Sequence, residues 1–411
     1  MFCFQCQETA KNQGCTVKGV CGKPEETADL QDVLIYVCKG IAVYGEKLKE
    51  QGTVDREAGR FICQALFTTI TNVAWDDEVI IERVNQALQA REAVKAKAGE
   101  AAGGDLPDCA TWTPAGKQDI MDKALADEMR ITADENEDAR SLRQMLIIGL
   151  KGIAAYADHA AILGHEQDDI YGFIMEALVS TTRDLSVDEM VGMVMKAGEI
   201  SVNTMALLDE ANTSAYGHPE ITEVNLGVRD NPGILISGHD LKDMEELLAQ
   251  TEGTGVDVYT HGEMLPAHGY PELKKYDHLV GNYGGAWQRQ QSEFDEFPGA
   301  ILMTTNCLME PKQSYKDRIF SAGPVGFPGM EHIDDGDFSP VIEAAKNGEG
   351  FTEDAEPQEI TVGFGRNAVM NVADTVVHAV KGGDIRHFFL IGGCDGAKPG
   401  RNYYTELAES V

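Results

Sequence analysis

The segment 39–44 (KGIAVY) returns 112 residues later as 151–156 (KGIAAY). A second pair lies at the same offset, with FICQALFTT at 61–69 and FIMEALVST at 173–181. Two matches at one offset indicate an internal repeat, and the apolar residues of both copies recur at the spacing of an α-helix. The repeat therefore predicts two similar helical bundles in tandem, forming a helical domain over residues 1–215.

The second half has a different pattern, in which short β-rich runs alternate with polar, helix-like segments after about Tyr216. This alternation is typical of α/β units with a largely parallel sheet. The acidic, turn-rich stretch 347–358 is predicted to be a boundary. We therefore expect a Rossmann-like α/β domain over 216–350 and the start of a second, incomplete one over 351–411. The predicted strands are 223–228, 233–237, 256–260, 279–283, 300–305, 360–364 and 387–391.

Composition limits the classes of protein to consider. The 411 residues are too many for one ordinary core, and 43% hydrophobic with 25% charged residues is typical of a globular chain. The formal net charge of −34 disfavours nucleic acid and anionic lipid as partners. Because the longest apolar runs are short and the N-terminus has no basic start, we expect no membrane span, no signal peptide and a cytoplasmic location.

Four of the nine cysteines lie within the first 21 residues, as Cys3-x2-Cys6-x8-Cys15-x5-Cys21. Thiolates this close in sequence can surround one metal centre, and the glycines between them allow a tight loop. An iron–sulfur cubane needs four thiolates, and structural zinc accepts the same set. Spacing alone favours iron–sulfur only modestly, because zinc ribbons usually supply two CxxC pairs and this segment has one.

A second set of metal-competent residues follows predicted strands. His239 ends GILISG, Glu263 follows VDVYTHG, Cys307 ends AILMTTN, and Cys394 ends HFFLIGG. Ligands of open α/β sheets bind at the carboxyl ends of the strands, so these four side chains are expected to converge. Two thiolates, an imidazole and a carboxylate form a mixed set suited to a redox metal centre.

The remaining cysteines have a plainer interpretation. Cys38 and Cys63 lie in the first helical copy, and their counterparts in the second copy are Leu150 and Met175. Replacement by apolar residues predicts that both cysteines are core side chains. Cys109 is expected to have no role in chemistry.

Two other features leave alternatives open. His261 and His268 flank Glu263, and each is either a hydrogen-bond donor to a ligand, a proton relay or an ordinary loop residue. The segment 363–368 (GFGRNA) matches a dinucleotide fingerprint, although the expected acidic residue is displaced. Its alternative is tight packing where a strand turns into a helix.

The N-terminus MFCFQCQETAKNQGCTVKGVCGKPEETADLQD resembles that of hybrid cluster proteins, also called prismane proteins or hydroxylamine reductases. The segments SGHDLKDMEELL, TTNCLMEP, VGFGRNAVM and FFLIGGCDG are similar to the same family. The resemblance extends over essentially the whole chain. It implies a helical domain of two bundles followed by two Rossmann-like domains.

The resemblance also implies two metal centres. Cys3, Cys6, Cys15 and Cys21 match the ligands of a [4Fe-4S] cluster. His239, Glu263, Cys307 and Cys394 match four ligands of a hybrid [4Fe-2O-2S] cluster, with Cys394 at the position of a persulfide. Glu263 and Cys394 are the predicted catalytic residues, with Glu263 as a ligand and not as the acid.

The activity implied by the resemblance is two-electron reduction of hydroxylamine to ammonia and water, and nitric oxide reduction is also attributed to the family. The partners would be a small N–O substrate and a redox donor protein. Family members continue well beyond Val411 with further ligands, so the ligand set here is expected to be incomplete. The alternatives are an inactive fragment with an electron-transfer cubane, a nitric oxide or oxygen sensor, and a nicotinamide enzyme.

Overall fold

The computed structural model describes residues 1–131 and 136–411 of the chain. Helices form its first half, and a mostly parallel sheet with flanking helices forms most of the second. This confirms the predicted fold class, multidomain α and α/β with a Rossmann-like parallel sheet. The domain boundaries at 215/216 and 350/351 remain predictions.

The α-helices of the described chain are numbered in chain order. They are α1 (Glu25–Glu50), α2 (Arg56–Thr68), α3 (Asp77–Ala98), α4 (Asp108–Thr111), α5 (Lys117–Ala124), α6 (Glu137–Ile162), α7 (Asp168–Ser180), α8 (Val187–Tyr216), α9 (Leu241–Thr251), α10 (Pro271–Lys274), α11 (Gln290–Glu296), α12 (Ser339–Asn347), α13 (Arg366–Asn371), α14 (Ala373–Gly382) and α15 (Tyr403–Ser410). Side-chain caps fix several starts. Asp55 accepts the Ala58 N–H ahead of α2, and Ser186 forms a capping box with Glu189 at α8.

The internal repeat is confirmed by the helix boundaries. Helices α1 and α6 both have 26 residues, and α2 and α7 both have 13. Each pair starts at the offset found in the sequence. The copies interlock, because α1 packs against α7 and α2 packs against α6. Their buried side chains consequently form one shared core.

Cys38 and Cys63 lie in this shared core, as the repeat predicted. Both are 0% exposed, and their counterparts Leu150 and Met175 are buried with them. Burial raises the pKa of the Cys38 thiol to about 12 and that of Cys63 well above its ordinary value. Cys109 is also buried, which agrees with a structural role.

Helix α6 is the one described helix long and apolar enough to cross a membrane by length and composition. Half of its most apolar window is buried, and it packs against α2 and α8. A core helix of a helical domain has the same composition, so this helix is weak support for a membrane span.

One eight-stranded sheet follows the helical part. Its strands are β1 (Thr222–Asn225), β2 (Gly233–Ser237), β3 (Asp257–His261), β4 (Leu279–Asn282), β5 (Ala300–Met303), β6 (Ile319–Ala322), β7 (Glu331–Ile333) and β8 (Glu359–Val362). The spatial order is β7-β6-β5-β2-β3-β4-β1-β8, and all neighbours are parallel except β1 and β8. The six strands β2 to β7 have the order of a Rossmann sheet, in which the direction of winding reverses between β2 and β5.

The central strands are covered on both faces. In β2, Ile234 and Ile236 belong to one core and Leu235 belongs to another on the opposite face. Such strands are continuous apolar runs without polar alternation, which is typical of parallel strands covered by helices. This explains why the sequence pattern located β2, β3, β4 and β5.

Two features of the predicted sheet differ from the structure. Strands β6 and β7 were not predicted, because the polar Ser321 interrupts the apolar run of β6 and β7 has three residues of which only Ile333 is buried. The predicted strand 387–391 is wrong, since these residues are not assigned to a strand. Their apolar side chains are exposed, with Leu390 at 97%, and no neighbouring strand of the described chain pairs with them.

The segment 351–411 contains no buried residue. It joins the sheet through β8, which pairs antiparallel with β1, and then forms α13, α14 and α15. Its apolar side chains are mostly exposed, including Phe388 at 74%. This segment therefore differs sharply from the packed remainder of the chain.

Candidate metal centres

The four N-terminal cysteines lie on one compact loop. The backbones of Cys3 and Cys15 exchange hydrogen bonds of 3.0 and 2.8 Å, which closes the loop as a short β-bridge. A Cβ at Gly14 would lie 2.7 Å from the Phe2 ring, and one at Gly19 would lie 2.9 Å from the Cys21 sulfur. The glycines therefore allow the close wrapping that their positions in the sequence suggested.

Cys3, Cys6, Cys15 and Cys21 together line one small cavity. Burial raises the pKa of Cys6 and Cys21, and negative charge on the neighbouring cysteines raises it further. Bound metal removes this cost, because it binds the thiolate form directly. Within residues 1–131 and 136–411, no three His, Cys, Asp or Glu side chains are close enough to hold a single ion.

Two buried ammonium groups lie beside this loop. Lys23 is 2% exposed and donates to the Gln31 side chain at 2.6 Å. Lys151 donates to the Gln5 side chain and to the Thr69 carbonyl, both at 3.1 Å. Burial lowers the pKa of Lys23, and negative charge on Cys3 and Cys21 opposes that effect. Both cations are placed where a negatively charged cluster would benefit from them.

The second candidate site lies at the carboxyl edge of the sheet. His239 follows β2 and Glu263 follows β3, and the His239 Nε2 atom is 3.0 Å from Glu263 Oε2. The hydrogen bond from His239 lowers the pKa of Glu263, while burial acts in the opposite direction. Thr305 fixes the imidazole from the other side, at 2.8 Å from Nδ1.

Cys307 follows β5 and completes this edge. Gln290 donates to its carbonyl oxygen at 2.6 Å, and the Asn306 amide lies 3.6 Å from its sulfur. Burial raises the pKa of the Cys307 thiol to about 12, and negative charge on Glu263, Cys394 and Cys6 acts in the same direction. Cys307 is therefore near residues of both predicted ligand sets. His239 follows β2 and Cys307 follows its neighbour β5, so the two residues lie on either side of the point where the winding reverses, and ligands of such sheets bind there.

Cys394 lies in an exposed loop and not at the end of a strand. The Gln7 side chain contacts it, with Nε2 at 3.4 Å from the carbonyl oxygen and 3.7 Å from the sulfur. Arg401 donates to Glu8 at 2.7 Å and to the Gln7 carbonyl at 3.0 Å. The N-terminal loop thus contacts the Cys394 loop at two points, and neither contact was foreseen from the sequence.

The two flanking histidines have structural partners. His261 lies between Ser237 and Glu293, each at 3.0 Å, and is buried. His268 lies 2.9 Å from the Thr260 hydroxyl, and burial lowers its pKa to about 4. These partners fit ordinary buried histidines in the strand-to-helix region.

A cavity of about 220 Å³ adjoins the His239–Glu263 pair. It lies between the helical part and the sheet, and its lining includes His159, Asp240 and Lys242. The Nδ1 atom of His159 is 3.5 Å from the Asp240 carboxylate, which also caps α9. Sequence reasoning missed this pair, although Asp240 directly follows the predicted ligand His239.

The dinucleotide-like corner at 363–368 is closely packed. A Cβ at Gly363 would lie 1.8 Å from the Glu220 carbonyl oxygen, and one at Gly365 would lie 3.2 Å from the Pro219 side chain. The preceding strand β8 is antiparallel to its neighbour, whereas the fingerprint belongs to a parallel βαβ unit. Tight packing therefore explains these glycines better than a bound nicotinamide.

Comparison with known proteins gives consistent matches over the whole chain. The model of the Prismane/CO dehydrogenase family matches residues 1–411. Hydroxylamine reductases from Desulfosudis oleivorans, Nitratidesulfovibrio vulgaris and Halothermothrix orenii are 66%, 57% and 56% identical to it. Each match covers 100% of this chain and 76% of the relative.

A solved carbon monoxide dehydrogenase from Thermococcus sp. AM4 is a more distant match. It aligns over 93% of this chain and 62% of its own, with 15% identity and a TM-score of 0.40. The family model over residues 1–411 and the relatives at 56–66% identity show that the chain belongs to the Prismane/CO dehydrogenase family.

Proposed function

We propose that this chain is an iron–sulfur oxidoreductase that reduces hydroxylamine. The reaction takes two electrons and two protons, breaks the N–O bond and releases ammonia and water. Relatives 54–66% identical over the whole chain have the name hydroxylamine reductase. The observation on which the proposal depends is the 3.0 Å contact of His239 with Glu263 after β2 and β3, with Cys307 following the neighbouring strand β5.

The first proposed cofactor is a [4Fe-4S] cluster on Cys3, Cys6, Cys15 and Cys21. Their thiols line one cavity beneath the closed N-terminal loop. In a cubane each thiolate binds a different iron, so its ligands are more widely spaced than those of zinc. The buried cations Lys23 and Lys151 beside the loop would offset the negative charge that four thiolates give such a centre.

The second proposed cofactor is the hybrid [4Fe-2O-2S] cluster. His239, Glu263, Cys307 and Cys394 would supply four of its protein ligands, and these soft and hard donors fit iron with both sulfur and oxygen neighbours. When bound, the cluster would supply electrons and an iron site for a small N–O ligand. Thr305 orients the His239 ring by its contact with Nδ1.

The cavity beside His239 and Glu263 is the proposed route for the substrate. Its volume of about 220 Å³ accommodates hydroxylamine with room for water. Protons reach the substrate through the same space, whose lining includes the His159 imidazole. Electrons from a donor protein enter through the N-terminal loop, which contacts Cys394 through Gln7.

The test is an anaerobic turnover assay. The chain is reconstituted with iron and sulfide and supplied with a reduced dye and hydroxylamine, and ammonia is measured. His239→Ala and Cys307→Ser should each abolish ammonia formation, whereas Cys109→Ala should retain it. Full turnover by both ligand variants would exclude this site as the place of reduction.

A further inference from the structure

Lys151 of α6 is a buried cation that connects the N-terminal cysteine loop with the helical core. Its ammonium group donates to the Gln5 side chain and to the Thr69 carbonyl, both at 3.1 Å. Gln5 also donates to the Thr69 carbonyl, at 3.3 Å. These hydrogen bonds therefore join the cysteine loop, the residue that follows α2, and α6 at one point.

One side chain separates Lys151 from the cavity that the four cysteines line. Gln5 lies between Cys3 and Cys6 in the sequence and lines that cavity with them. Lys151 is 8% exposed, so solvent and salt screen its charge only weakly. A positive charge in this position acts on whatever the cysteines bind.

The charge of Lys151 is not neutralised by a direct ion pair. Both of its hydrogen-bond acceptors are neutral, and no carboxylate of the described chain forms an ion pair with it. Burial and the positive charge of Lys23 lower the pKa of Lys151 to about 8, while negative charge on Asp32 and Cys3 opposes them. A buried ammonium group is costly unless negative charge lies near it. An iron–sulfur cluster on the cysteine loop would supply such charge.

Lys23 has a similar electrostatic position but serves less well for separating charge from structure. It is two residues after Cys21 and lines the cysteine cavity itself, so its replacement would also disturb the loop that carries the ligands. Lys151 belongs to the second helical copy. Its replacement leaves the sequence of the loop intact.

The internal repeat provides a reference position for Lys151. Lys39 of α1 is its counterpart in the first helical copy. No hydrogen bond joins Lys39 to the cysteine loop in the part of the chain that the structure describes. The charges that act on Lys39 are those of Cys109, Asp32 and Arg143. The same residue type at the equivalent position therefore lacks the link to the cluster site.

We propose that Lys151 raises the reduction potential of the N-terminal iron–sulfur cluster. This inference rests on the proposed [4Fe-4S] cluster. Uptake of one electron from the donor adds one negative charge to such a cluster, and a buried cation nearby favours the more negative state. Lys151 is not a ligand. It acts by its charge and through its hydrogen bond to Gln5, and it makes the cluster a better electron acceptor.

The test is a redox titration of the iron-loaded protein, followed by the electron paramagnetic resonance signal of the reduced cubane. Lys151→Met removes the charge, and Lys151→Gln removes it but keeps an N–H donor. In both variants the equilibrium constant for reduction should fall about tenfold, equivalent to about 59 mV for a one-electron couple. Lys39→Met is the matched control and should leave the midpoint potential unchanged.

Iron analysis separates this inference from the cluster on which it rests. All variants should keep the iron content and signal of the wild type, because every cysteine ligand is intact. An unchanged potential in both Lys151 variants, or an equal shift in Lys39→Met, would overturn the inference and leave the cluster in place. A shift in Lys151→Met but not in Lys151→Gln would assign the effect to hydrogen bonding and contradict the role of charge. Absence of the reduced-cubane signal in the wild type would overturn the cluster and this inference together.

Discussion

The four residues proposed to hold the hybrid cluster are positioned in two different ways. His239, Glu263 and Cys307 follow strands that are buried on both faces, so the packed sheet fixes where they lie. Cys394 lies in the segment 351–411, which has no buried residue. Its location depends on polar contacts with the N-terminal loop. A site can therefore have a rigid side set by the core and a side set by a few surface hydrogen bonds.

The largest expected effect concerns the N-terminal loop, on which both centres depend. Cys6→Ser or Cys15→Ser should abolish the electron paramagnetic resonance signal of the reduced cubane, since one of its four ligands is lost. Because the same loop holds Cys394, turnover should fall with the signal. Cys109→Ala should keep both. A full signal in both loop variants would show that these cysteines are not ligands.

The next largest effect is expected on the free energy of unfolding, which should depend strongly on packing in the helical core and little on the segment 351–411. Ile174→Ala removes a 0% exposed side chain from the helical core and should cost about 2–5 kcal/mol of unfolding free energy. Val369→Ala lies on the exposed α13 and should change it by less than about 0.5 kcal/mol. Denaturant titration of both variants measures the difference. Similar costs at the two positions would mean that the segment 351–411 is packed after all.

The third prediction concerns the pH dependence of stability, which we expect to come from Asp158, a buried residue of α6. Burial raises its pKa from 3.8 to about 6, although His159 and Gln64 oppose this, and one carboxylate oxygen has no hydrogen-bond partner. The folded chain therefore binds a proton that the unfolded chain has lost, and stability should fall as pH rises from about 4 to 6. Asp158→Asn should remove this fall and stabilise the chain at pH 7 by about 1–3 kcal/mol. Melting curves across this pH range provide the check, and parallel curves for wild type and variant would contradict it.

A smaller effect is expected for the Cys394 loop, whose location depends on surface hydrogen bonds. Arg401→Met removes hydrogen bonds to Gln7 and Glu8 and should loosen the Cys394 loop. Hydrogen exchange in residues 394–404 should become faster, with little change in the melting temperature. Arg366→Met is the control, because Arg366 lies in the same segment and its exposed ion pair is with Asp209 of α8. Equal protection in both variants would show that Arg401 does not hold the loop.

The smallest effect on the free energy of unfolding is expected for a substitution within the helical repeat. Cys38→Leu copies the second helical bundle, where Leu150 is equally buried, and should cost less than about 1.5 kcal/mol because the change is apolar and the repeat accommodates leucine at this position. Iron content should not change. Loss of metal would identify Cys38 as a ligand and not as packing.

Most of the fold could be predicted because its signals are local. The matching copies at 39–44 and 151–156 gave the helical repeat, and apolar runs gave the buried strands. An apolar run looks the same whether or not a sheet covers it, so 387–391 was predicted to be a strand and is not one. The contacts of Gln7 and Glu8 with the region around Cys394 join residues nearly 390 positions apart, and no local pattern reveals them.

The most direct test of two separate iron centres is the iron content of a matched pair of proteins. Wild type should bind about eight irons per chain, and His239→Ala/Cys307→Ser should bind about four while keeping the reduced-cubane signal. That result would place one centre on the N-terminal loop and a second at the sheet edge. Equal iron content in the two proteins would contradict the second centre.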